Sequence, residues 1–236
     1  MTRCVGILVS GITLYLTASS KGGATVIDSV PYTISSPGQY SLESDLEYSK
    51  VGKGYIAIDV KANNVSVDLN GHSLSGPGPN SVTYGIAAHR GGANVVIRNG
   101  TISGFQQAIY SGSSQTRVEN MALIGNYIGA FLFGGDCAVI DSFLIGVARG
   151  SDTGVTPMGI YFWGPNTVIK NNQVSNFEWG IVSTCPCAIT HNFVANSGIG
   201  MYLDDAKRAY YQGNVVVNCT TAFSGGTPVG QENGGD

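Results

Sequence analysis

A two-residue signature recurs along this chain and constrains its fold more than any other feature. A glycine or alanine followed by an apolar residue appears at Gly85-Ile86, Ala108-Ile109, Gly129-Ala130, Gly159-Ile160, Gly180-Ile181, Gly200-Met201 and Ala222-Phe223, in steps of 23, 21, 30, 21, 20 and 22 residues. A second column keeps the same phase: Asn70, Asn99, Asn120, Asp141, Asn171, His191 and Gly213. Both columns share the one long step of 30. A period in this range marks a solenoid, in which each repeat buries its apolar side against the next.

The repeats read as strands. NVVIRNGTISGF, NTVIKNNQVSNF and CAITHNFVANSG alternate apolar and polar residues, are rich in Val and Ile, and break at Gly and Asn. No repeat carries a sustained helical period, and the fixed leucine pattern of leucine-rich repeats is absent. A coil of about 21 residues with Asn at a corner predicts an all-β, right-handed parallel β-helix of seven to eight rungs. Asn tolerates the left-handed backbone of a tight corner and can bond to the rung above, forming a ladder. In that column His191 is read as a ladder substitute.

The segments SVDLNGHSLSGPG (Ser66–Gly78), NVVIRNGTISGF (Asn94–Phe105) and YTISSPGQYSLESDL (Tyr32–Leu46) add a resemblance. They resemble the secreted right-handed β-helix repeat proteins of the pectate-lyase-like superfamily, including copper-site maturation and alginate-epimerase relatives. The resemblance covers residues 30 to 225 and implies the fold, export and a polysaccharide ligand. Lyases, epimerases, hydrolases and binding proteins share that scaffold, so activity must come from a site. The Asp-Pro-His run of the epimerases is missing. Of the polygalacturonase set only Asp204-Asp205 matches, and Gly71-His72 lacks the following Gly. Calcium is the ion the resemblance brings to mind, but the acidic cluster that binds it in pectate lyases is absent. No metal ligand set is assigned.

Composition bears on location and partners. Charged residues are 11% of the chain and the net charge is −3, with no basic stripe of the kind nucleic-acid binders carry. Residues 1–24 combine Arg3, a mostly apolar Cys4–Ala18 stretch and small-residue cleavage sites, and are read as a secretory signal peptide. The stretch is short for a membrane span. Residues 25–53 are expected to cap one end, 54–223 to form the β-helix, and the Gly-rich 224–236 to form a tail or second cap. Beyond Cys4 stand Cys137, Cys185, Cys187 and Cys219. Cys137 and Cys187 fall in one column two rungs apart, roughly 9.6 Å by strand spacing, too far for a disulfide. Buried thiols or an irregular disulfide are expected.

Register also assigns side-chain direction. Counting each repeat's Gly or Ala as zero, positions one and three are apolar or small and should face inward, so positions two and four face outward. That places Tyr110, Phe131, Phe133, Tyr161, Trp163 and Tyr202 on one outer face. Such an aromatic strip needs a ligand or a cover. It is read as a sugar platform, with intramolecular cover and a homo-oligomer contact as the other readings. His89 and Asp204 lie in equivalent columns five rungs apart, roughly 24 Å, too far to serve one centre. The long step of 30 predicts an inserted loop near 146–157. Its Arg149 and Asp152, with Tyr161 beside them, form the candidate catalytic group. There Tyr would exchange a proton and Arg would neutralise a uronate carboxylate.

The functional expectation is a secreted carbohydrate-binding protein that takes a polysaccharide or cell-surface glycan, with lyase-type or epimerase-type processing of a polyuronate as its catalytic form. The alternative is a non-catalytic surface, adhesion or assembly module whose aromatic face is a protein–protein interface.

Overall fold

The computed structural model describes residues 23–147, 154–204, 209–229 and 234–235. Among them the chain is a parallel β-helix. Nine strands stack in the smaller sheet: Tyr32–Ile34, Tyr55–Val60, Thr83–Ala88, Gln107–Ser111, Ile128–Leu132, Met158–Phe162, Trp179–Ser183, Ile199–Leu203 and Thr221–Gly225. Counted in this order they define nine rungs. The seven glycine or alanine signatures account for the last seven, and the first two precede Gly85.

The signature is in register throughout. Ile86, Ile109, Ala130, Ile160, Ile181, Met201 and Phe223 pair in a single line down the sheet. The glycine ahead of each apolar residue has a steric cause. A Cβ at Gly159 would stand 2.5 Å from the carbonyl oxygen of Gly180, and one at Gly180 would stand 2.5 Å from that of Gly200. Successive backbones approach too closely there for larger side chains.

The second, 17-stranded sheet wraps the rest of each coil. It bends at the asparagine column, as where Ala138–Ile140 and Phe143–Gly146 flank Asp141. All seven members of that column have φ between 51° and 63°, the left-handed region that Asn, Asp and Gly tolerate. Amides link some neighbouring rungs along it: Asn120 Nδ2 donates to Asn99 Oδ1 at 2.9 Å, and Asn171 Nδ2 to Asp141 Oδ1 at 3.1 Å.

A stronger ladder runs one residue later, inside. Asn192 Oδ1 accepts from the backbone N–H and the Nδ2 of Asn172, at 2.9 and 3.0 Å. Asn214 Oδ1 does the same for Asn192. Asn172 Oδ1 in turn accepts from the Ser142 N–H, and Ser142 Oγ from the Met121 N–H. These amides are buried, so each bond also avoids the cost of an unmet polar group.

Inside the coil stand Ile86, Ile109, Ile160, Ile181, Met201, Leu132, Phe162 and Leu203, all buried. Ser111 and Ser183 share that interior and are satisfied by Thr116 Oγ1 and the Cys185 carbonyl. Cys137 and Cys187 are buried thiols separated in register by Thr167. Residues 25–53 add strands Thr25–Ile27, Gly38–Leu42 and Leu46–Glu47 to the larger sheet. After Ser224, Thr227–Pro228 and Gly234–Gly235 pair on the last coil. No helix among the described residues is long and apolar enough to cross a membrane.

Candidate functional site

The outer face of the smaller sheet gathers five of the six rings expected from register, together with Tyr84. Tyr84, Tyr110, Phe131, Phe133, Tyr161 and Trp163 form one continuous run across the third to sixth rungs. The centroids of Tyr84 and Tyr110 lie 5.5 Å apart, and those of Tyr110 and Phe133 also 5.5 Å. Phe131 stacks on Tyr161 at 4.6 Å and 17°. Phe133 contacts Trp163 at 5.7 Å. Trp163 is 57% exposed, and the other five rings are half-buried. Mutual edge and stacking contacts hold the rings upright as a fixed surface.

Tyr202 stands apart. It stacks on Trp179 at 5.1 Å and 17°, and Val182, only 2% exposed, separates it in register from Tyr161. Ala87 is likewise in the outward column and only 3% exposed.

Strict alternation missed Tyr84 and Trp179. They precede the zero position by one residue, where period two would send them inward. The glycine interrupts that alternation, so the residue before it also reaches the outer side. An aromatic immediately ahead of the Gly-apolar pair was the available signal.

Burial pushes the Tyr161 phenol above its ordinary value, with the Thr184 hydroxyl opposing the shift. A phenol raised in this way stays protonated near neutral pH, so it suits hydrogen-bond donation better than base chemistry. Arg149 and Asp152 lie outside the described residues. Asp204 Oδ1 accepts from the Tyr202 hydroxyl at 3.4 Å.

The upper end of the strip is polar. His89 Nε2 lies 2.5 Å from Asp59 Oδ1, and Lys61 Nζ 3.4 Å from Asp59 Oδ2. Asp59 pairs in register with Ala87, directly above it on the second rung. Arg90 turns the other way, past Gly112, and sets its guanidinium 5.8 Å from the Phe133 centroid. Asp59 escaped the sequence reading because its own signature, Ala57-Ile58, precedes Gly85 by 28 residues, outside the commoner spacing.

No group of three His, Cys, Asp or Glu side chains among the described residues is arranged to hold a metal ion. A separate shallow groove of about 470 Å³ lies on the larger sheet, beside Arg117, Asp136, Ala138 and Lys170.

No family model matches the chain, and no curated protein matches it. Among solved structures it is similar to the pectate lyase Pel9A, with 16% identity and a TM-score of 0.46 over 85% of this chain. The likeness is one of fold. The chain spans 64% of the length of that protein.

Proposed function

We propose that this protein is an exported carbohydrate-binding β-helix that lays a polyuronate along the aromatic strip, with lyase-type or epimerase-type processing as its catalytic form. The observation that carries this reading is the unbroken run of six rings over four consecutive rungs. Ring faces pack on the C–H surfaces of pyranoses, and the Tyr hydroxyls offer bonds to sugar oxygens. A succession of rings fits a polymer better than a single sugar, because each rung presents a further surface along the coil axis. Phe131, Phe133, Tyr161 and Trp163 form the centre of the platform, and Tyr110 continues it upward. Tyr202, with Trp179, forms a separate contact further along. In the catalytic form Arg149 and Asp152 would act together with Tyr161.

Affinity electrophoresis through gels containing alginate, polygalacturonate, pectin or neutral glucans tests the reading. The wild-type chain should be retarded by at least one polyuronate, and the Tyr161→Ala/Trp163→Ala variant should lose most of that retardation. Absence of retardation on every gel, with a mass in solution that falls when the same residues are truncated, would replace this reading with the assembly interface.

A further inference from the structure

We infer that one facet of the larger sheet is the contact surface for a second copy of this chain, seated antiparallel about a two-fold axis that runs along Gln173–Ser175 of the sixth coil. The facet and the aromatic strip lie on different sheets, and the inference stands independently of the polyuronate reading.

The facet consists of the end of Ser114–Asn126 and the strands Phe143–Gly146, Gln173–Ser175, Phe193–Ala195 and Val215–Val217, which pair in sequence from the fourth coil to the eighth. Their middle residues, Leu123, Leu144, Val174, Val194 and Val216, are fully buried. The residues on either side of each therefore point outward. None of those outward residues is charged. Phe143, Phe193 and Val215 are 40%, 43% and 42% exposed, and Ile124 is 38% exposed. An apolar, uncharged facet that continues over five coils marks an interaction surface.

The order of the residues identifies the partner. One outward column reads Ala122, Phe143, Gln173, Phe193 and Val215. The next reads Ile124, Ile145, Ser175, Ala195 and Val217. Both columns are apolar on two coils, polar on the sixth, and apolar on two more. A half-turn about the sixth-coil strand exchanges the fifth coil with the seventh and the fourth with the eighth. It sets Phe143 against Phe193 of the second copy, and Ile145 against the smaller Ala195. Gln173 meets its own counterpart, and a primary amide both donates and accepts, so that pair satisfies itself. Reciprocal contacts of this kind define an isologous interface.

The corner column beside the facet carries matching charges. It reads Asn120, Asp141, Asn171, His191 and Gly213, all left-handed. Asp141 and His191 are its two ionisable members and both are exposed. They stand one coil to either side of Asn171. The same half-turn sets Asp141 of each copy against His191 of the other. Asn171 Nδ2 occupies Asp141 Oδ1, which leaves Oδ2 for an imidazole N–H. Within one chain the two residues lie two coils apart, roughly 9.6 Å, too far to pair directly. Along the coil axis the facet covers four strand spacings, about 19 Å. A contact of this size is weak and reversible.

The test is sedimentation over a wide range of concentration. The wild type should pass from the mass of one chain to that of two. Phe143→Lys and Phe193→Glu should each raise the dissociation constant at least about 100-fold, because each sets a charge against an apolar ring. Each should keep the wild-type circular dichroism. The double variant Phe143→Lys/Phe193→Glu should recover the pair, since every introduced ammonium then faces an introduced carboxylate of the other copy. His191→Asn should raise the dissociation constant about fivefold, with no further effect where Asp141→Asn is already present. Tyr161→Ala/Trp163→Ala should pair as the wild type does. The mass of one chain at every concentration overturns the inference. So does a pair that survives Phe193→Glu, or one that the double variant fails to restore. A pair lost in Tyr161→Ala/Trp163→Ala and kept in both facet variants moves the contact to the strip and overturns the facet as well.

Discussion

The earlier and later coils of this β-helix share one backbone plan but hold and use it differently. From Tyr84 to Trp163 the chain places rings outside. At the inner turn of that region it places Gly100 and Met121, the latter buried, where later coils have amides. From Ser142 to Asn214 the inner turn changes, while rings continue outside at Tyr161, Trp163, Trp179 and Tyr202. The inner turn carries a buried chain of side-chain hydrogen bonds, and the outer column narrows to Val182 and Thr184. That turn is thus held by directional side-chain bonds in the later coils and by Gly100 and Met121 in the earlier ones, where the buried amide of Asn126 bridges the Phe105 N–H and the Ile102 carbonyl at another turn. The two features meet in the sixth coil, where Asn172 carries the ladder inside while Tyr161 and Trp163 close the strip outside.

The sharpest way to break this contrast is Asn192→Ala. It strips the acceptor from two Asn172 donors and the donor from the Ile169 carbonyl. Leaving such groups unmet should cost about 3 kcal/mol, seen as a lower denaturant midpoint, with gel retardation retained. An unchanged midpoint would remove the ladder from the account.

The next effect is one of pH and belongs to the same later coils. Burial pushes the Cys187 thiol up to about 11, well above the ordinary thiol value. The folded state therefore holds the proton more tightly than the unfolded one. Its contribution is complete below pH 9 and is lost as pH rises toward 11, on the order of 3 kcal/mol in all. Melting temperatures across that window should fall, and Cys187→Ala should flatten the decline.

In the earlier coils the effects should appear in binding. Phe131→Ala removes the ring that contacts Tyr110, Phe133 and Tyr161, and polyuronate affinity should drop about tenfold, near 1.4 kcal/mol. The smallest stability change is expected for Trp163→Ala. Its ring is largely in water, so the melting midpoint should shift by no more than about 0.5 kcal/mol while retardation weakens.

What could be read from the sequence follows the same physics. The glycine column and the left-handed column were legible because backbone sterics permit few residues there, and those residues recur. His191 could be assigned to its column without any reference to chemistry. The inner ladder was harder to see. Asn172, Asn192 and Asn214 directly follow members of the left-handed column, and a paired Asn-Asn such as Asn171-Asn172 reads as one corner rather than two roles. Five of the strip's rings followed from alternation, and Tyr84 did not, because alternation fails at the glycine. The contact between His89 and Asp59 depends on which coil lies above which, and the 28-residue spacing hid that neighbour.

Register has one more consequence. Each coil is the preceding one displaced by a strand spacing of roughly 4.8 Å, so the platform's length is counted in whole coils. Its four rungs, from Tyr84 to Tyr161, span three such displacements, about 14 Å. Duplicating a single coil within that stretch would lengthen the surface by one increment and leave every other contact repeated in kind. The molecule is in this sense a ruler, graduated in coils, on which reach can change without redesign of any existing part.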